Sequence, residues 1–151
     1  MIRIRRTVND WEEINKVADK RHKKYKNVPS NYGTERDYHK DWVGAAGEYF
    51  VAKYFGLEWT GRNDDNGPDV GQLEVRTRTK TGGLLCLHDK EIERKRLIAG
   101  TKYVLCWYND DDTVDMVGWA FASEIRKAAI HANGRWFIQT NKLHEIHTVL
   151  L

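Results

Sequence analysis

Three acids and one arginine stand out by type and spacing. Asp69 follows Pro68 in "GPDVG", Glu74 comes five positions later in "QLEVRTRTK", and Arg76 lies two residues beyond it. A further acid, Glu48, sits upstream in "GAAGEYF". Hard cations such as Mg²⁺ take oxygen ligands, commonly one or two carboxylates with water and substrate phosphate. A carboxylate at the start of a strand and another on that strand can face one such ion. A cation there activates a water and neutralises a phosphodiester, and basic neighbours hold the scissile phosphate. Each residue also has a plainer role open to it. Glu48 can pair with an arginine in the core. Asp69 can cap the turn after Pro68. Glu74 can pair with Arg76 or Arg78 as an ordinary strand residue.

The elements that must position these side chains follow from periodicity. "DWVGAAGEYFVAKYFG" predicts a helix over 41–55, with Glu48 on the same stripe as Gly44, Ala45, Val51, Ala52 and Phe55. Its two internal glycines each cost ~1 kcal/mol against alanine, which predicts close approach by another element. An acid on such a stripe is costly unless paired or metal-bound. "GQLEVRTRTK" alternates: Leu73, Val75, Thr77 and Thr79 take one face, Glu74, Arg76, Arg78 and Lys80 the other. "TGG" then turns the chain and "LLCLH" returns, which predicts a hairpin. In that hairpin Asp89 lies opposite Arg76, a cross-strand pair worth ~0.2–1 kcal/mol.

The remaining elements are simpler. A helix is expected from Asn9 or Asp10 as N-cap through the basic run at 20–26, followed by a loop over 27–33. A short strand is expected at 57–61, a helix at 89–100, strands at 102–108 and 113–121, and a helix at 122–133 with Ser123 as its cap. Short strands are expected at 135–140 and 144–151. The order, helices and then strands interrupted by a helix, predicts an α/β (α+β) sandwich.

In this order the residues resemble the PD-(D/E)xK nuclease superfamily, whose restriction-endonuclease-like fold implies a core with a central mixed β-sheet flanked by helices. "GAAGEYF" matches that family's helix acid through Glu48, "GPDVG" its Asp through Pro68 and Asp69, and "LEVR" its (D/E)-x-K through Glu74 and Arg76. The layout is also similar to small phage and mobile-element members carrying GAxGE, PDVG and EVRTR. The likeness covers about 40–121 of a single expected domain, 1–151. It implies a deoxyribonuclease using Mg²⁺ or Mn²⁺, with Asp69, Glu74 and Glu48 at the metal and Arg76 at the phosphate. Relatives of this fold often act as dimers, so a homodimer is among the expected assemblies.

One departure is chemical. Arg76 stands where the family pattern has lysine. Arginine keeps its proton near neutral pH, so it cannot act as a base, though it clamps phosphate well. Lys80 shares the face, but six strand residues from Glu74 is roughly 20 Å, so His88 or Lys90 on the return strand is the better substitute.

Charge and composition narrow the partners. Forty per cent hydrophobic and 31% charged residues fit a globular chain, and no apolar run approaches the ~20 residues of a membrane span. The two cysteines, each inside an apolar run, are expected as buried free thiols. With no signal-peptide pattern, the expected location is cytoplasmic, including a phage-infected host. The net charge of +3 says little about nucleic acid, but the basic residues cluster in "RIRR", "KRHKKYK", "RTRTK" and "KEIERKR". Lys20, Lys23, Lys24, Arg78 and Lys80 are therefore the expected DNA contacts. Two other readings stay open: a nuclease-fold protein that binds nucleic acid without cutting it, and a phage protein that binds a host factor.

Overall fold

The computed structural model describes residues 1–25, 38–61, 68–79, 82–91, 100–128 and 130–151. Its elements run β1 (Ile2–Arg5), α1 (Val8–Tyr25), α2 (Tyr38–Phe55), β2 (Leu73–Arg78), β3 (Leu85–His88), β4 (Lys102–Tyr108), β5 (Thr113–Phe121), α3 (Ala122–Ala128), β6 (Ile130–Ala132) and β7 (Arg135–Ile138). Two 3₁₀ turns follow, Thr140–Lys142 and Ile146–Thr148. The loop expected at 27–33, most of the helix expected at 89–100, and Lys80 lie outside the described residues. No helix among those described is long and apolar enough to cross a membrane.

The first sheet is mixed, with four strands in the order β1-β5-β4-β2. β4 is apolar on both faces and so takes an interior position. Its side chains divide accordingly. Val104 and Cys106 join the core under α1 and α2, with Ile14, Ala18, Phe50, Val51 and Val75. Tyr103 and Leu105 join a second core with Leu85, Leu87, Ile125 and Ile138. The molecule is thus a mixed sheet with α1 and α2 on one face, and α3 with a three-stranded antiparallel sheet, β3-β7-β6, on the other. Both cysteines are free and buried.

Several local expectations are corrected. β2 and β3 do not form a hairpin: β2 pairs in parallel with β4, and β3 pairs antiparallel with β7 in the other sheet. A parallel pair needs a long crossover, and residues 79–101 supply it. Residues 57–61 form no strand. Instead Trp59 packs its ring on Tyr49 of α2. The helix expected to 133 stops at Ala128, because Asn133 and Gly134, with φ of 51° and 71°, make the tight turn that joins β6 to β7. The strand expected over 144–151 is replaced by the second 3₁₀ turn and one bridge, Trp119 to His144.

The cap of α1 is also not where the pattern put it. Thr7 is the capping residue: the Asp10 amide N–H donates to Thr7 Oγ1 at 3.4 Å, and the Thr7 amide N–H donates back to Asp10 Oδ2 at 2.6 Å. Asp10 Oδ1 accepts from Tyr49 Oη at 2.7 Å and Lys53 Nζ at 2.8 Å, so one buried carboxylate ties the start of α1 to the end of α2. Burial alone would raise its pKa, but the bonds from Lys53, Tyr49 and Thr7 outweigh that and bring it down to about 2. Asp10→Ala therefore costs about 2–3 kcal/mol in urea unfolding at neutral pH. The folded value lies below the unfolded one, near 4. The Asp10 contribution is thus complete above about pH 4 and disappears as pH falls to about 2. A pH series of urea midpoints for wild type and Asp10→Ala checks this: the two curves converge in acid.

Close approach to α2 occurs at one of its two internal glycines, Gly47, and not at Gly44, where an added Cβ would meet only the Arg21 guanidinium at 4.0 Å. A Cβ on Gly47 would lie 1.8 Å from Thr77 Oγ1 and 3.0 Å from Thr77 Cβ. β2 and α2 therefore touch at a point only glycine allows. Gly47→Ala gains ~1 kcal/mol of helix propensity and loses more to overpacking, so it destabilises by a net ~1–2 kcal/mol. The urea midpoint of that variant, with and without Thr77→Ala, reads the effect; Thr77→Ala recovers part of the loss.

Candidate functional site

A tight turn brings Asp69 back beside the strand that follows it. Val70 and Leu73 exchange amide bonds of 3.0 and 2.7 Å. Asp69 then accepts the Val75 amide N–H at 2.8 Å. Pro68, with no N–H to satisfy, leads into this turn. In the parallel register with β4, Glu74 lies opposite Tyr103 and Arg76 opposite Leu105. Both therefore sit on the face that carries the second core. Leu73 and Val75 turn to the α2 side, so the alternation read from the sequence holds, with both faces covered.

Arg76 is the centre of this group. Its Nη1 is 3.5 Å from Asp69 Oδ2 and 3.5 Å from Glu74 Oε2. Its Nη2 pairs with Glu91. The guanidinium Cζ lies 5.2 Å from the centre of the Tyr103 ring, a cation–π contact, and Tyr103 Oη donates to Glu91 Oε1 at 3.0 Å. Burial lowers the Arg76 pKa, but Glu91, Asp69 and Glu74 together more than reverse that, so Arg76 stays charged. Burial and the charge of Glu91 raise the Tyr103 phenol. The expected pairing of Arg76 with Asp89 does not occur. Asp89 instead accepts from Trp136 Nε1 at 2.7 Å and pairs with His131 at 3.1 Å. Glu91, two residues on, reaches Arg76 in its place.

Glu48 is buried, as its stripe on α2 predicts. It is held in a fork by Arg21: Nη1 donates to Oε1 at 3.0 Å and Nη2 to Oε2 at 2.6 Å. Trp59 Nε1 adds a third bond at 3.2 Å. Burial pushes the Glu48 carboxyl up, the Arg21 fork opposes this, and the neighbouring Asp69 pushes it further up. Asp69 also favours the charged form of Arg21. The Glu48–Arg21 pair and the Asp69–Arg76 group are thus electrostatic neighbours. Among the described residues no three His, Cys, Asp or Glu side chains converge as a metal-holding group. Asp69 and Glu74 do face one common point, and Arg76 Nη1 holds it.

The expected nucleic-acid contacts fall in different places. Lys20, Lys23 and Lys24 are exposed on α1, whose last turn is basic and follows Arg21 directly. Arg78 donates from Nε to the Leu84 carbonyl at 3.1 Å and from Nη2 to Cys86 Sγ at 3.3 Å, tying β2 to β3. His88 ends β3, and burial and Arg135 lower its pKa, with Glu91 opposing.

Three residues of the site escaped sequence reasoning. Arg21 carried a signal, since it continues the buried stripe of Ile14 and Ala18 at helical spacing. A buried arginine on one helix and a buried glutamate on the next predict each other. Glu91 and Tyr103 carried none: the first lies in a charged run, the second in an apolar one. No protein-family model, curated protein or solved structure matches this chain.

Proposed function

We propose that this chain is a metal-dependent nuclease of the PD-(D/E)xK type, with a restriction-endonuclease-like core, that hydrolyses DNA phosphodiester bonds. The observation that carries the reading is that Asp69 and Glu74, one from the turn before β2 and one within it, lie 3.5 Å from the same nitrogen of Arg76. A positive group already sits between two carboxylates, so this donor pair suits a hard cation such as Mg²⁺ or Mn²⁺. Such a cation would supply water activation and charge neutralisation at the phosphodiester.

The protein's own residues have distinct tasks. The Val75 amide fixes the orientation of Asp69. Glu74 is held by burial in β2. Arg76 contacts the scissile phosphate, where its fork matches two oxygens, and stabilises charge that develops there. Glu48 stays on α2 with Arg21, placing a neutralised pair behind Asp69. The basic end of α1, with Lys20, Lys23 and Lys24, contacts the backbone, and binding falls with salt accordingly.

A second reading has its own observation. Because Arg76 lies between Asp69 and Glu74, the protein supplies a cation of its own there, as a non-cutting nucleic-acid-binding protein on the same fold would. Incubation of plasmid and linear DNA with Mg²⁺ or Mn²⁺ separates the two. Cleavage by the wild type that is lost in Asp69→Asn and Glu74→Gln supports the nuclease. Cleavage that survives both substitutions removes the site assignment. DNA retardation without cleavage favours the second reading.

A further inference from the structure

We draw no further inference here: the strongest candidate, the open cleft where the junction of β1 and α1 meets the turn between β4 and β5, lined by Arg5, Arg6, Trp11, Glu12, Asp111 and Asp112, carries nothing, because Arg6 is already held by Asp112 and by the Trp11 ring and nothing in the structure shows what would fill the cleft.

Discussion

On the proposed nuclease reading, Asp69→Asn and Glu74→Gln are each expected to lower Mg²⁺-dependent cleavage of plasmid DNA by on the order of 10³-fold. The size follows from the charge stabilisation a bound cation supplies, several kcal/mol, at tenfold in rate for each 1.36 kcal/mol. Both substitutions keep the shape of the side chain and remove only its charge. In Asp69→Asn the side chain retains an amide oxygen for the Val75 N–H, the bond that holds residue 69 against β2. Glu74 is buried opposite Tyr103, and glutamine fills the same volume. The rate therefore falls without loss of fold. Single-turnover nicking rates alongside thermal melts make the measurement. Rates within a few-fold of wild type in both variants would remove Asp69 and Glu74 from the chemistry. A fall matched by an equal loss of folded protein would assign them to structure instead.

The second large effect is on stability. Arg21 and Glu48 form a bidentate pair with both residues 6% exposed. Removing one partner leaves a buried charge uncompensated, which costs about 3–5 kcal/mol. Arg21→Met is expected to show this at neutral pH. Trp59 then remains the donor to Glu48 among the bonds described above. The double variant Arg21→Met, Glu48→Leu recovers most of the loss, since two apolar side chains of similar volume need no counter-ion. The pH dependence has a definite sign. Without Arg21, burial raises the Glu48 pKa further above its unfolded value, near 4. The folded state then binds the proton more tightly than the unfolded one, so stability falls as pH rises from about 4 toward the folded value. Arg21→Met is accordingly less destabilised at pH 5 than at pH 7. Urea midpoints at the two pH values decide it. A single variant no less stable than wild type at pH 7 would mean that water reaches the pair.

Local pattern accounts for much of the scaffold. The helical spacing of α1 and α2, the unbroken apolar run of β4 and the alternation of β2 are set by neighbours a few residues apart, and the structure has each of them. The tight turn at Asn133–Gly134 was legible as well, because that dipeptide is the strongest short hairpin signal. The helical reading of "ASEIRKAAIHAN" masked it. Strand partnership was not legible. "TGG" between two strand-like runs looks like a hairpin, yet β2 and β3 belong to different sheets. Partner choice depends on which surfaces remain to be buried once β4 takes the middle of the sheet, and that is a property of the whole chain.

The site divides the same way. The sequence by itself put Glu74 and Arg76 on one face of one strand, with Asp69 just before it; the turn at Val70–Leu73 that folds Asp69 back beside them belongs to the structure. The sequence also determined that Glu48 is buried, since its stripe on α2 is apolar and carries small residues. Only the tertiary structure decided which charges meet. Arg21 lies 27 residues before Glu48, and Glu91 lies 15 residues after Arg76. No local rule brings either pair together. The physical reason is that a buried carboxylate requires a positive partner, but sequence alone does not say from which element that partner comes. Packing of α1 on α2, and of residue 91 against β2 and β4, made that choice. It placed an arginine on every acid of the candidate site.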